Sequence, residues 1–183
     1  MSGLIEDCVP GHDENVLVVV SGLPAVGKSE LADALGQRLG AAVLSVDPIE
    51  AAMWRCGIAP SFETGVAAYE VVAVLAEHQL RLGLTVIADA VSSLEVARDM
   101  WREAASRTGA AMRVIEVVCS DEGTHRERLA RRVRDIDGFP EPSWEDVVRR
   151  RDGWEPWGDE HLVVDSVREL EESVVEALAY VDR

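Results

Sequence analysis

Apolar positions along this chain recur with two periods that alternate from one end to the other. Val16-Leu17-Val18-Val19-Val20 is an unbroken aliphatic run, the pattern of a parallel strand buried on both faces. Beyond Ser29, Leu31, Ala34, Leu35 and Leu39 return at helical spacing until Gly40 stops them. Continued along the chain, this reading predicts strands over 16–21, 42–46, 84–88, 112–118 and 161–164 and helices over 28–39, 48–56, 64–82, 93–107, 121–134 and 166–181. Alternation of this kind predicts an α/β fold of three layers, with helices on both faces of a parallel five-stranded sheet.

One stretch breaks the rhythm. Residues 135–159 hold Gly138, Pro140, Pro142, Gly153, Pro156 and Gly158 together with Trp144, Trp154 and Trp157. Within it, Ser143-Trp144-Glu145-Asp146 reads as the capped start of a short helix. A loop this long in a compact domain is usually functional, so a helical lid is expected around 121–159. The competing reading is a surface excursion whose Trp side chains pack on the core. Residues 1–14 are polar and acidic with no apolar centre, which predicts a flexible tail rather than a signal peptide, followed by a single domain over 15–183.

Chemistry enters where the first strand meets the first helix. Gly22-Leu23-Pro24-Ala25-Val26-Gly27-Lys28-Ser29 spells G-x-x-x-x-G-K-[ST], a phosphate-binding P-loop. With no side-chain bulk at Gly22 and Gly27, successive backbone N–H groups can point inward around phosphate oxygens, and the next helix adds its positive N-terminus. The expected ATP-binding set is Gly22 through Ser29 with Glu30. Lys28 would follow the phosphoryl group, and Ser29 would offer its hydroxyl to Mg²⁺. Lys28 is the sole lysine, all seventeen other cationic side chains being arginine. A guanine-reading N-K-x-D element, which needs a second lysine, is therefore absent, and a GTPase-like switch is disfavoured.

Phosphoryl transfer to a hydroxyl also needs a carboxylate to orient or deprotonate the acceptor and cations to hold the developing charge. Asp47 is read as closing the second strand and Asp89 as closing the third, both at the carboxyl edge where open α/β sheets bind ligands. Asp47 is the candidate base, with a helix cap before Pro48 as its bland alternative. Asp89 would face Mg²⁺, usually through water, or else hold the substrate. The predicted helix 121–134 concentrates Arg126, Arg128, Arg131, Arg132 and Arg134; of these, Arg128 and Arg132 share a face and could reach over the phosphates. Arg149, Arg150 and Arg151 form a second cluster, of which one could close on the donor. Trp54, Phe62 and Tyr69 could line an acceptor pocket or belong to the core.

Bulk properties narrow the partners. With 34 acidic against 18 basic side chains the formal net charge is -16, a field that repels nucleic acid and anionic membrane. Charged and polar residues interrupt the longest apolar stretch, Val66 to Leu84, so no membrane span is expected. Cys8, Cys56 and Cys119 are odd in number and far apart, which suggests buried or idle thiols in a reducing cytoplasm.

The loop at Gly22–Ser29, Asp47, Asp89 and the run Arg128-Leu129-Ala130-Arg131-Arg132 together resemble the P-loop small-molecule kinases, the group of chloramphenicol phosphotransferases, zeta toxins and polynucleotide kinases. That resemblance spans roughly residues 15 to 181, although only the P-loop is a specific motif. It implies Asp47 as base toward the acceptor hydroxyl, Arg55 on the following helix as an acceptor-holding group, and Arg128 with Arg132 as lid arginines on ATP. The chain departs from the polynucleotide kinase pattern, since Met53, Trp54 and Arg55 lie well after the aspartate where that pattern has an arginine close behind it. The expected activity is ATP- and Mg²⁺-dependent phosphorylation of a hydroxyl on a small molecule such as an antibiotic, sugar or nucleoside. Alternatives are a polynucleotide or nucleotide kinase and a non-catalytic nucleotide-binding switch.

Overall fold

The computed structural model describes residues 15–132, 136 and 139–183. In chain order its elements are β1 (Val16–Ser21), α1 (Lys28–Leu39), β2 (Ala42–Ser45), α2 (Val46–Arg55), α3 (Phe62–Arg81), β3 (Val86–Asp89), α4 (Glu95–Thr108), β4 (Ala111–Val118), α5 (Glu122–Arg131), α6 (Trp144–Asp152), β5 (His161–Asp165) and α7 (Leu170–Val181). The strands form one sheet in the order β2-β3-β1-β4-β5. Every neighbouring pair is parallel.

β1 is the central strand, which explains its composition. Leu17 and Val19 pack with Val72, Ala76 and Leu80 of α3 and with Trp101 of α4. Val16, Val18 and Val20 pack with Leu31 and Leu35 of α1 and with Val174 and Ala177 of α7. Both faces of the strand are dry, so alternation of apolar and polar residues is not available to it. The result is the three-layer arrangement, with helices on each side of the parallel sheet.

The element boundaries carry information about the site. The second strand stops at Ser45, and α2 begins at Val46, so Asp47 lies in the first turn of a helix rather than at a strand end. Pro48 falls third in that helix, where a missing N–H costs no helical hydrogen bond. α3 starts at Phe62 because Ser61 and Thr64 form a reciprocal capping box. The final helix starts at Leu170 instead of 166. α5 ends at Arg131 with Arg132 as its cap, and 133–134 of the expected helix lie outside the described residues, as do the expected tail at 1–14 and Cys8.

The Trp-rich stretch divides into two parts. α6 is capped by Ser143 and Asp146 in the expected way. The segment after α6 is fastened to α4: Arg98, fully buried, donates to the carbonyls of Ser92 (2.9 Å), Glu155 and Pro156 (2.8 Å). Its guanidinium lies 4.3 Å from the Trp157 ring centre and 5.8 Å from that of Trp154. A buried cation is tolerable here because planar N–H groups meet fixed carbonyls on one side and aromatic faces on the other. Arg102 adds a two-pronged bond to Asp159, with contacts at 2.7 and 3.1 Å. The competing sequence expectation, Trp side chains packed on the core, is met for Trp157.

Replacing Arg98 by Ala leaves three carbonyls without donors and opens a cavity. We expect a loss of about 3–5 kcal/mol in urea unfolding, with new proteolytic cleavage between 153 and 159. A loss below about 1 kcal/mol would show that the clamp is incidental.

Candidate active site

The P-loop connects β1 to α1 through backbone that side chains rarely adopt. Gly22 has φ 150°, Ala25 65° and Gly27 96°. A Cβ on Gly22 would stand 2.4 Å from the Val117 carbonyl oxygen, so only glycine lets the chain pass β4 at this point. Lys28 opens α1 and is 4% exposed. Ala25, Gly27, Lys28, Ser29 and Glu30 line a cleft of about 520 Å³, faced from α5 by Thr124, Glu127, Arg128 and Arg131 and, just beyond that helix, by Arg132. Four cations against two carboxylates make this a positive spot on an acidic chain. Of the remaining loop residues, Val26 is buried in the core and Leu23 packs against it.

α5 is tied to the loop by groups that the sequence did not single out. His125, 5% exposed, holds a ring nitrogen 2.7 Å from the Pro24 carbonyl oxygen. Trp144 of α6 packs edge-on against the same ring at 5.1 Å. Arg128 donates to the Ser166 hydroxyl at 2.7 Å and to the Ser166 carbonyl at 2.8 Å, which fixes its guanidinium at the mouth of the cleft. By contrast Arg126 pairs with Glu122 and covers Trp144, and Arg131 pairs with Glu127 while remaining largely exposed. Nothing in the chain marks His125 in advance; its role appears only when α5 is laid across the loop.

On the other side of the P-loop is a second cleft of about 750 Å³. Pro24 forms its edge, Asp47, Glu50 and Trp54 of α2 its floor, and Arg149 and Arg150 of α6 its opposite bank. Trp54 stacks on Phe139 at 4.7 Å with the rings nearly parallel. The Tyr69 hydroxyl accepts the Ser92 N–H at 3.0 Å, and burial pushes its pKa up to about 12, so it keeps its own proton as a donor beside the ring. Burial, with Asp47 nearby, raises the Glu50 carboxyl above its ordinary range, against the opposing pull of Thr64 and Arg150. Sequence reasoning misses Glu50, although its spacing of three from Asp47 at a helix start is a usable signal.

The other candidates take separate positions around these clefts. Asp89 ends β3 opposite Val20 of β1, is buried, and takes the Ser45 hydroxyl at 3.1 Å on one carboxylate oxygen. Its other oxygen, Oδ1, is buried without a hydrogen-bond partner. Burial and the Asp89 charge together raise the Asp33 carboxyl, so a negative charge at Asp89 is felt on α1. A hydrated divalent cation fits an orphaned carboxylate oxygen of this kind. Arg55 occupies the last turn of α2, exposed, and is not among the residues lining either cleft. Arg149 and Arg150 line the second cleft rather than the phosphate side, and Arg151 turns to Glu122. Of the thiols expected to be buried or idle, Cys56 is exposed and Cys119 half-buried, and both are free.

A parallel five-stranded sheet whose central strand opens into this loop defines a P-loop nucleotide-binding protein of kinase-like fold. An AAA domain family model, AAA_33, matches residues 17–153, and the chain belongs to that family. Among solved structures it resembles an unliganded sugar kinase from Janibacter sp. HTCC2649, at 16% identity and a TM-score of 0.70 over 92% of this chain and 95% of that one. It also resembles the APS kinase of Mycobacterium tuberculosis in complex with AMPPNP and APS, at 16% identity and a TM-score of 0.69 over 93% of this chain and 99% of the other. A third is Kti12 of Chaetomium thermophilum in complex with ADP-AlF3, at 16% identity and a TM-score of 0.68 over 90% and 98% of the two chains. A search of curated protein sequences gives no match. Among the described residues, no helix is long and apolar enough to cross a membrane.

Loss of the His125 ring frees the loop's Pro24 carbonyl and undercuts Trp144. For His125→Ala we expect nucleotide affinity to fall about tenfold, read by titration calorimetry, along with a lowered Tm; full affinity would mean that the loop keeps its shape unaided. Glu50 gives a pH test. Because its folded pKa is raised, the native state binds the proton more tightly, and stability falls as pH climbs from the ordinary glutamate range through the raised value. Glu50→Gln should therefore match the parent in urea unfolding at about pH 4 and exceed it at about pH 8, and equal stabilities at both pH values would contradict the assignment.

Proposed function

We propose that this protein is a phosphotransferase that moves the γ-phosphate of ATP to a hydroxyl of a small molecule. The observation that carries this reading is the pair of clefts divided by the P-loop, one lined by Lys28 and arginines, the other floored by Asp47 and Glu50. The first suits the triphosphate. The second suits a neutral or cationic acceptor, because four carboxylates, on Asp47, Glu50, Glu141 and Asp146, face it against two arginines. A polynucleotide end would meet that acidic wall, which disfavours the nucleic-acid alternative.

In this reading the P-loop amides and Lys28 hold the β- and γ-phosphates, and Arg128 and Arg132 stabilise charge as the transferred group moves. The acceptor oxygen forms a bond to the γ-phosphorus while the bond from that phosphorus to the bridging oxygen of ADP breaks. Asp47 takes the acceptor proton, its carboxylate standing in the first turn of α2 on the acceptor side. Asp47 is preferred over Asp89 because Asp47 lines the acceptor cleft, whereas Asp89 is buried beneath Ser45. Ser29 and Asp89 are the residues that would hold Mg²⁺, the latter through water, and the ion would supply charge neutralisation for the phosphates. α5 and α6 act as the lid of this kinase domain, which works in the cytoplasm.

Asp47→Ala should lower transfer by about 10²–10⁴-fold while ATP affinity stays within about twofold. The assay is release of ADP above the rate of water hydrolysis across a panel of hydroxyl compounds, with Lys28→Ala as the donor-site control. Unaltered turnover in Asp47→Ala would remove it from the mechanism.

A further inference from the structure

The acceptor cleft does not end at its acidic floor. Between α3 and α4 it opens into a further cavity of about 240 Å³, with which it shares Glu50, Phe62, Tyr69, Ser93, Leu94 and Arg150. Beyond that junction the walls change character. They are the side chains of Val66, Val96, Ala97 and Met100, with the faces of Phe62 and Tyr69. The Tyr69 hydroxyl accepts the Ser92 amide, so its O–H proton is the polar group that this ring still offers. Glu50 and Arg150 are the charged residues of this lining, and both also line the acceptor cleft.

Two further observations indicate that this space takes a ligand. Phe62 is 66% exposed, Leu94 42% and Val96 46%, so three large apolar side chains gather in water around one opening that adjoins the acceptor cleft. Apolar surface concentrated at a concavity marks a binding site more often than chance exposure does. The second observation is Gly65, which lies inside α3, where glycine weakens a helix relative to alanine. Its backbone is ordinarily helical, and a Cβ there would meet only the Glu50 Oε1, at 3.6 Å, an unstrained contact. Neither conformation nor packing demands glycine at this position; its effect is to leave the mouth of the cavity open beside Glu50.

We propose that this cavity is a specificity pocket for the apolar arm of the acceptor, so that the substrate class is an amphipathic alcohol. Its hydroxyl end lies at Asp47 and Glu50, and an alkyl or aryl substituent enters between α3 and α4. A cavity of about 150 Å³ lined by apolar side chains is enough to take benzene, so a single ring fits. Discrimination against the bare polyol arises from removing the arm's surface from water, worth at least about tenfold in affinity for a ring-sized group. The proposal rests on the kinase reading for the identity of the hydroxyl but not for the existence of the pocket.

The test compares glycerol with its monophenyl ether, 3-phenoxypropane-1,2-diol, in which an aryl arm replaces one hydroxyl hydrogen. Binding is followed by saturation-transfer NMR on the ring protons, and phosphorylation by transfer of label from ATP. The variants are Gly65→Leu, which fills the mouth from an unstrained position, and Gly65→Ala, which reports that the helix accepts a side chain there. Expected are ring saturation in the parent, a kcat/KM for the phenoxy diol at least about tenfold above that for glycerol, and loss of both in Gly65→Leu through KM, with ATP affinity retained. Absence of ring saturation in the parent, or saturation that persists in a folded Gly65→Leu, overturns the pocket. If both alcohols are phosphorylated equally and Gly65→Leu changes nothing, the kinase reading stands and the pocket falls. Ring binding that Gly65→Leu abolishes, with no transfer to either alcohol, upholds the pocket and defeats the kinase reading.

Discussion

Everything at the site depends on how closely the chain passes β4 as it leaves β1. At Gly22 the backbone runs so near the Val117 carbonyl that no side chain fits. That passage turns the following residues into a concave row of amides and delivers Lys28 to the start of α1. The rest of the machinery is braced against this turn. His125 holds the loop from α5 through the Pro24 carbonyl, and Arg128 is held in turn by Ser166 after β5. The loop is thus braced by α5, which also walls the first cleft, and α5 in turn by the segment after β5.

The charge distribution obeys the same logic. A chain with a net charge of -16 repels polyanions in general, yet its donor cleft collects Lys28, Arg128, Arg131 and Arg132. Short-range cations at a sheet edge can hold a small phosphorylated ligand even where the long-range field is unfavourable, because screening removes the distant charges first. The second cleft keeps the acidic character of the surface. In the proposed reaction, two clefts of opposite electrostatic character beside one loop would give each substrate a side.

Local features are readable in the chain and long-range ones are not. Val16–Val20 and Gly22–Ser29 are contiguous, so burial on both faces and the phosphate loop can be inferred from neighbouring residues. Asp47 stands out in the sequence but reads as a strand end, because Pro48 looks like the first helical residue when it is the third. That shift matters. From Asp47, a helix turning about 100° per residue brings Glu50 and Trp54 close to the same face and carries Arg55 roughly 80° away from it, which is why Arg55 misses the cleft and Glu50 enters it. His125 and Arg98 cannot be anticipated, since each acts on backbone carbonyls supplied by distant segments, 101 positions away for His125 and up to 58 for Arg98.

The clamp at Arg98 has a mechanical implication for α6. Immediately after that helix, the chain is pinned to α4 through the carbonyls of Glu155 and Pro156, the Trp157 ring and the Arg102–Asp159 bond. At its other end Trp144 packs on His125 and lies under Arg126 of α5. α6 is thus anchored to α4 just past its C-terminal cap at Gly153 and packed at its start through buried Val147 and Trp144. Any loosening of Trp144 would be felt at His125, which itself braces the P-loop.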